Sequence, residues 1–238
     1  MPLLFPRGLL AFDTETTGTD ARNDRIVTCC VAHVRPDGTV GSSHHWLINA
    51  GVEIPKEASD IHGITTEKVQ AEGRPIELVL PEIRAWFSRA VQQEIPLCAF
   101  NAAFDCTLLD AEFLRYGAGF PFESALIFDS LVVDKALDKF RKGSRKLLDV
   151  AREYGAELSA DDAHDAQADA VAAGQIALLM SVKYKRLGPD GEYNWSNLME
   201  VQAAWHEEQA SSYEQYLRKT KPDAIVDRGW PIKAEVQA

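Results

Sequence analysis

Asp13 and Glu15 are two acidic residues at the end of a short apolar run, Leu9 to Phe12. The polar stretch Thr16 to Gly18 follows, so the pattern predicts a buried strand that ends in a turn. Side chains two positions apart on a strand point to the same face, which would bring both carboxylates to one place. Paired carboxylates suit Mg²⁺ or Mn²⁺, which keep coordination positions open for a substrate phosphate. On its own the pair is a weak signal, because acidic pairs at strand ends are usually solvated.

A further acidic residue, Asp105, lies in the motif Asn101-Ala102-Ala103-Phe104-Asp105. The motif falls where a predicted central strand passes into a helix, near the carboxyl ends of neighbouring strands. Open α/β sheets place their sites at those ends. The alternative is that Asp105 only favours the first turn of its helix electrostatically.

His164 and Asp169 form a third motif, five positions apart. On one continuous helix that spacing sets two side chains about 140° apart, so they could not meet. They converge only if His164 precedes the helix and Asp169 lies on its first turns. A histidine in a loop is more often a solvated surface residue, so this motif is also inconclusive alone.

The remaining pattern predicts strands first and alternating helices and strands afterwards. Strands are predicted at 9–12, 25–34, 42–48, 96–100 and 125–128. Helices are predicted at 75–91, 103–116, 130–137 with a cap at Ser130, 144–154 and 166–183. This order predicts an α/β fold of the ribonuclease-H-like kind, with a mixed five-stranded sheet flanked by helices.

The composition changes after Leu187, which predicts one domain over residues 1–187 and a C-terminal helical extension of unknown role over 188–238. The extension carries Leu198, Val201, Trp205 and Tyr216 on one predicted stripe. No repeat or low-complexity tract occurs in the sequence.

The composition also limits the possible functions. A net charge of −11 argues against broad electrostatic capture of nucleic acid unless divalent cations supply positive charge. The 4 cysteines form no C-x-x-C pair, so buried thiols are expected rather than a zinc or redox site. The sequence shows no signal peptide and no apolar segment of membrane-spanning length, so a cytoplasmic protein without a membrane partner is expected.

Together the motifs D-x-E, N-x-x-F-D and H-x(4)-D resemble the DEDD exonuclease superfamily, in its histidine-bearing, DnaQ-like DEDDh branch. This branch includes the proofreading subunit of bacterial replicative polymerases. The resemblance covers roughly Leu9 to Met180 and includes His62 to Thr65, Asp129 to Leu131 and Leu147 to Ala151. It implies a 3′–5′ exonuclease that uses two divalent cations, Mg²⁺ or Mn²⁺, and releases nucleoside 5′-monophosphates.

The resemblance also implies roles for individual residues. Asp13, Glu15 and Asp169 would hold the metal that activates the nucleophile, with Asp13 bridging to the second ion and Asp105 acting mainly through bound water. His164 would be the general base, a role that suits an ordinary histidine pKa of about 6.5. The implied substrate-binding residues are Thr16, Thr17, Gly18, His62, Ile64, Asn101 and Phe104. Phe104 could equally belong to the core, and Asn101 could order its own loop.

The sequence determines the substrate and the partners less closely than the site residues. Single-stranded DNA is favoured by the resemblance to proofreading subunits, RNA is possible, and a DNA polymerase or repair protein is a possible partner; the oligomeric state stays open. The basic residues Lys139, Arg141, Lys142, Arg145 and Lys146 contact substrate phosphates or form a solvated loop.

A phosphatase and a non-catalytic binding module are the two alternatives to an exonuclease. A phosphatase with an aspartate nucleophile would have Asp, not Glu15, in the acidic pair and would leave His164 without a role. A binding module that has lost catalysis is disfavoured by the complete acidic set.

Overall fold

The computed structural model describes residues 4–159 and 165–234. Over these residues a single sheet has the strand order β4-β3-β2-β1-β5-β6. The strands are β1 (Leu9–Thr16), β2 (Ile26–Val34), β3 (Val40–Asn49), β4 (Arg74–Pro75), β5 (Leu97–Ala99) and β6 (Ile127–Asp129). The pairs β1·β2 and β2·β3 are antiparallel, whereas β5 and β6 run parallel to β1 and β5 respectively. The predicted mixed sheet is confirmed, with six strands rather than five because the two-residue β4 pairs with β3.

Helices cover both faces of the sheet. They are α1 (Lys56–His62), α2 (Thr66–Glu72), α3 (Ile76–Gln92), α4 (Ala102–Arg115), α5 (Ser130–Leu137), α6 (Leu147–Tyr154), α7 (Ala166–Lys183) and α8 (Leu198–Leu217). Alternation along β1 sends Leu10 and Phe12 into the core beneath α3 and α4, and Leu9 and Ala11 into the core beneath α7. Strand β1 is therefore the buried centre of the molecule, and its carboxyl end carries the two acidic residues.

Helix α7 crosses β1 unusually closely at Gly174. A Cβ atom at this position would lie 2.8 Å from Val34 Cγ2 and 2.9 Å from Leu9 Cδ1. Neither neighbour can move away freely, because both are fully buried. The glycine therefore sets how close α7, and with it Asp169, can come to β1.

Helix α5 is capped by a different residue than the sequence predicted. The Asp129 side chain, not Ser130, accepts hydrogen bonds from the backbone N–H groups of Leu131 and Val132. The Ser130 hydroxyl instead donates to the Ala173 carbonyl of α7 at 3.0 Å. The serine cap was wrong because the aspartate before it satisfies the free N–H groups of the helix end with a charged acceptor.

The C-terminal residues pack against the edge of the sheet. The Gln202 side chain accepts from the Asp129 N–H at 2.8 Å and donates to the Ile127 carbonyl at 2.8 Å. Its amide thus pairs with the outer edge of β6 as another strand would. The predicted apolar stripe is correct at Leu198, which is buried, and at Trp205, which packs against the same core cluster, but wrong at Tyr216, which is 65% exposed. The fully or nearly buried residues of α8 are Leu198, Gln202, Ala210 and Glu214. No helix in the described ranges is long and apolar enough to cross a bilayer.

Replacement of Gly174 by alanine tests the close approach of α7. Alanine is the better helix former by about 1 kcal/mol, so propensity alone predicts stabilisation. We expect the opposite, a loss of about 1–3 kcal/mol in the free energy of unfolding, because the added methyl overpacks the contact with Val34 and Leu9. Urea denaturation measures the difference. Val182→Ala, at a 72% exposed position of the same helix, is the control and should change stability by less than about 0.5 kcal/mol. A stabilised Gly174→Ala protein would contradict the packing argument.

Candidate active site

Three carboxylates meet at the carboxyl end of β1. Asp13, Glu15 and Asp169 each offer an oxygen, and these oxygens lie within 4.8 Å of one another. Asp13 and Glu15 share one face of the strand, and α7 brings Asp169 over that face. Helix α7 is capped by Asp165, whose side chain accepts from the N–H groups of Gln167 and Ala168. Asp169 lies one turn later, at the end of the helix nearest the strand acids.

Asp105 approaches from the other side of the sheet. It lies in the first turn of α4 and is only 4% exposed. Thr14, between the two strand acids, points to the opposite face and donates its hydroxyl hydrogen to Asp105 Oδ1 at 2.6 Å. This bond ties α4 to β1, and the charge of Asp105 raises the pKa of Asp13. The four predicted acids are therefore gathered at one end of β1.

Burial, followed by nearby charges, raises the pKa values of these carboxyl groups. Burial, followed by the charges of Asp169 and Asp105, raises the pKa of Glu15 to about 8. Burial, followed by the charges of Asp105 and Glu15, raises the pKa of Asp13 well above its usual range. Burial raises the pKa of Asp105 to about 7, although the Thr14 hydrogen bond opposes the shift. A bound cation would remove the repulsion that these shifts reflect.

The donor set fits a hard divalent cation. All three close ligand atoms are carboxylate oxygens, the type that Mg²⁺ and Mn²⁺ prefer, and thiolates are not among them. The side chains of Asp13, Glu15 and Asp169 are partly exposed, so an ion and a phosphate can reach them from solvent.

The loop after β1 is closed by its own hydrogen bonds. Thr17 donates to Asp24 Oδ1 at 2.9 Å, and Thr16 donates to the Gly18 carbonyl at 2.5 Å. A Cβ atom at Gly18 would lie 2.5 Å from Asp24 Oδ2, so a side chain there would force the turn open. Both threonine hydroxyls thus stabilise the loop. Its backbone groups therefore have a defined conformation in which they could contact a ligand.

His62 connects this loop to the segment between α1 and α2. Its Nδ1 accepts a hydrogen bond from the Ile64 N–H at 3.1 Å. A neutral imidazole then carries its hydrogen on Nε2, which donates to the Thr16 carbonyl at 3.3 Å. Ile64 packs against the small core cluster around Val27. The predicted binding residues His62 and Ile64 are therefore joined to the loop that follows Glu15.

Asn101 and Phe104 lie at the start of α4. Asn101 has a left-handed backbone with φ of 71°, which asparagine tolerates better than most residues, and its side chain is exposed. Its N–H donates to Asp129 Oδ1 at 3.1 Å. Phe104 is half-buried and packs on the core beneath α4, so the ring belongs partly to the core and partly to the surface beside Asp105.

Asp129 is the residue that sequence analysis undervalued. It is fully buried, and one oxygen accepts from the N–H groups of Asn101, Leu131 and Val132. The carboxylate therefore joins the loop before α4 to the start of α5. The available signal was an aspartate directly after a β-strand and before an apolar helix, the position of an N-cap.

The basic stretch is an exposed loop in which two arginines turn inward. Arg141 and Arg145 contact the fully buried Asp134, at 2.6 and 2.5 Å. Both arginines are therefore used inside the protein, whereas Lys142 and Lys146 are exposed. The contact with substrate phosphates therefore stays a prediction for Lys139, Lys142 and Lys146. Of these, Lys139 pairs with Glu208 at 2.7 Å. His164 lies outside the described residues, so its predicted place at the site stays a prediction.

Known proteins are similar to this chain in sequence and in fold. The model of the RNase_T family, described as Exonuclease, matches residues 10–177. A PolC-type DNA polymerase III of Thermotoga petrophila is 31% identical over 179 residues, which are 75% of this chain and 12% of that protein. The epsilon subunit of DNA polymerase III from Treponema pallidum is 29% identical over 67% of this chain and 70% of its own length.

Solved structures agree in fold. The zinc-bound crystal structure of the E. coli ExoI–ssDNA complex superposes with a TM-score of 0.64 at 23% identity, covering 76% of this chain and 42% of that chain. E. coli exonuclease I with a dA16 oligonucleotide gives the same TM-score of 0.64. The likeness confirms the predicted ribonuclease-H-like arrangement.

The family match spans most of the chain and contains Asp13, Glu15, Asp105 and Asp169. It favours a nuclease over the phosphatase alternative, whose acidic motif differs at Glu15. The chain thus belongs to the RNase_T exonuclease family, and its predicted membership of the DnaQ-like exonucleases is confirmed.

Proposed function

We propose that this protein removes nucleotides one at a time from the 3′ end of a single-stranded nucleic acid, DNA in preference to RNA, and releases nucleoside 5′-monophosphates. The observation that carries the proposal is the meeting of Asp13, Glu15 and Asp169 within 4.8 Å, with Asp105 tied to the same strand end. Residues 1–187 would form the exonuclease domain, and residues 188–238 an extension of it.

Asp13, Glu15 and Asp169 would hold the metal, and Asp105 would complete the set. Two bound Mg²⁺ or Mn²⁺ ions would supply positive charge to both the attacking and the leaving oxygen of an in-line displacement. His164 would accept the proton of the attacking water, because an imidazole near its ordinary pKa can do so at neutral pH. Thr14 would act as a positioning residue, since its hydroxyl holds Asp105 beside the strand acids.

The terminal nucleotide would be bound by the groups that surround the acids. The backbone of Thr16, Thr17 and Gly18 is held in shape by Asp24 and His62, so it could receive a terminal hydroxyl without rearrangement. Ile64 and Phe104 offer apolar surface for a base, and Asn101 an exposed amide.

The preference for DNA rests on the relatives. Those named above are DNA polymerase III proteins, and exonuclease I was solved with single-stranded DNA. A cytoplasmic protein that acts in proofreading or repair, with a DNA polymerase or a repair protein as its partner, is the proposal that fits these names. The chain spans 12% of the PolC-type relative, so its association with a polymerase is part of the proposal.

Substitution of the metal-binding acids tests the reaction and its direction. We expect Asp13→Asn and Asp169→Asn each to lower the rate by about 100-fold or more, because each removes a ligand charge from the site. A 3′-labelled single strand in Mg²⁺ should release labelled mononucleotide at once, whereas a 5′-labelled strand should give a descending ladder. The same strands made of RNA measure the preference. Asp190→Asn, on an exposed loop, should behave as wild type. Labelled mononucleotide from the 5′ end first would refute the proposed polarity.

Replacement of His164 tests the general base. His164→Ala should reduce kcat by about 10²–10⁴-fold, since that is the usual contribution of a positioned base. Binding of Mn²⁺, followed by calorimetry, should be unchanged because His164 is not expected to hold the ion. A variant with full activity would remove His164 from the mechanism and leave the acidic site intact.

Metal binding and pH should change stability together. Glu15 has a pKa raised from 4.5 to about 8 in the folded protein, so the folded state holds a proton that the unfolded state releases. That stabilisation is complete below pH about 4.5 and is lost as pH rises through about 8, so metal-free protein should melt at lower temperature as pH rises across this window. At pH 8, Mg²⁺ at about 100 times its Kd should add about 2.7 kcal/mol.

Glu15→Gln provides the matched variant for this measurement, because the amide keeps the shape and removes the charge. Without metal it should be more stable than wild type at pH 8, and its response to Mg²⁺ should be smaller. An undiminished response in Glu15→Gln would show that the ion binds elsewhere.

A further inference from the structure

The last described segment of the chain, Asp227–Ala234, returns to the active-site side of the protein. The Lys233 N–H donates to the buried Thr107 hydroxyl of α4 at 2.8 Å, and the Arg22 guanidinium donates to the Lys233 carbonyl. Trp230 and Ile232 pack against the core beneath α4. The segment is therefore anchored on the helix that carries Asp105, more than 100 positions earlier in the chain.

One of these anchors also holds a predicted binding residue. The Trp230 indole N–H donates to Asp129 Oδ2 at 3.2 Å, and the other oxygen of the same carboxylate accepts from the Asn101 N–H. Asp129 is fully buried, so its bonds with the segment and with the Asn101 loop are shielded from water. The segment thus has a defined position relative to the start of α4.

This anchoring places a positive charge beside the candidate site. The Lys233 ammonium lies over the Phe104 ring, 5.2 Å from its centroid, and Phe104 directly precedes Asp105. The lysine is half-buried, and no carboxylate of the described residues lies within ion-pairing distance of it, although the pKa of Asp20, lowered first by hydrogen bonds from Asn23 and Arg22, is also lowered by the charge of Lys233. Its position contrasts with Arg141 and Arg145, whose charges are matched by Asp134.

A cavity adjoins the lysine. Its volume is about 440 Å³, and it lies between the loop that follows Gly18 and the C-terminal segment. It is lined by Thr19, Asp20, Ala21, Arg22, Asn23, Asp227, Lys233 and Ala234. Two cations and two acids therefore share this space, so its charge is balanced while the rest of the protein is strongly acidic.

We infer that the segment Asp227–Ala234 forms one wall of the nucleic-acid cleft and that Lys233 binds a backbone phosphate of the strand. The inference rests on the proposed function and adds a substrate contact to it. A base that stacks on the exposed part of Phe104 would bring its phosphates within reach of an ammonium held over the same ring. The alternative is that Lys233 does not contact substrate and only stabilises the segment through its contact with Phe104.

The salt dependence of catalysis distinguishes a phosphate contact of Lys233 from a structural role. A phosphate contact on a single strand contributes a slope of about −0.7 to the logarithm of affinity against the logarithm of salt concentration. Between about 50 and 200 mM salt, Lys233→Gln should therefore show a slope of log(kcat/KM) shallower by about 0.7. At the lowest salt its KM for a single-stranded oligonucleotide should rise about tenfold, with kcat within about twofold of wild type. Lys233→Arg, which keeps the charge, should restore most of the loss.

Lys221→Gln is the matched control, because it removes the same charge from an exposed position beyond α8. It should leave KM and slope as in wild type. Thermal unfolding of Lys233→Gln should be close to wild type, since Lys233 is anchored through its backbone atoms. An unchanged slope and KM in Lys233→Gln, or the same change in Lys221→Gln, would overturn the inference.

Binding of a labelled oligonucleotide to Asp13→Asn, with and without Lys233→Gln, repeats the comparison without catalysis. A wild-type protein that released no nucleotide would refute the proposed function. The slope in the binding experiment would still decide whether Lys233 contacts phosphate.

Discussion

Repulsion among Asp13, Glu15, Asp105 and Asp169 is the constraint on which the rest of this structure depends. The carboxylates lie on three elements, β1, α4 and α7, and apart from the Thr14–Asp105 hydrogen bond these elements are positioned by apolar packing. Apolar packing on both faces of β1 brings the charges together, and burial, followed by the neighbouring charges, raises the pKa values of Asp13 and Glu15. The folded protein is therefore less stable at this point than an uncharged strand end would be, and it recovers that stability by binding a proton or a cation.

The alternation of side chains along β1 explains how acids from opposite layers reach one place. Asp13 and Glu15 face α7, whereas Thr14 faces α4 and donates to Asp105. One side of the strand thus carries Asp13 and Glu15. The other side carries Thr14, whose hydrogen bond holds Asp105 in place. The small residues Ala11 and Gly174 let α7 lie close enough for Asp169 to complete the group. A shift of register by one residue would reverse this arrangement and separate the acids.

Local rules predicted only part of the acidic group. The period of two places Asp13 and Glu15 together, and the junction of β5 with α4 places Asp105 at the same edge. The position of Asp169 followed from the family resemblance, because α7 follows another helix and not a strand. The errors concern contacts between residues far apart in sequence. Nothing near Arg141 indicates that it pairs with a buried Asp134, and nothing near Gln202 indicates that its amide covers β6. The stripe on α8 was wrong at Tyr216 for the same reason, since the buried positions include Gln202, which bonds to β6, and Glu214, which pairs with Arg218 and Arg228.

Ion pairing inside the protein also limits how strongly this acidic chain can attract a polyanion. Arg25 pairs with the fully buried Glu112, and Arg141 and Arg145 pair with Asp134, so these cations are not available to phosphates. A protein of net charge −11 gains little from general attraction along a strand. Under the proposed function, its affinity would come mainly from cations held by the acids, from the loops that would hold a terminal nucleotide and from single contacts such as the one inferred for Lys233. Such a distribution favours recognition of a strand end over capture of its interior, which is the selectivity that an exonuclease requires.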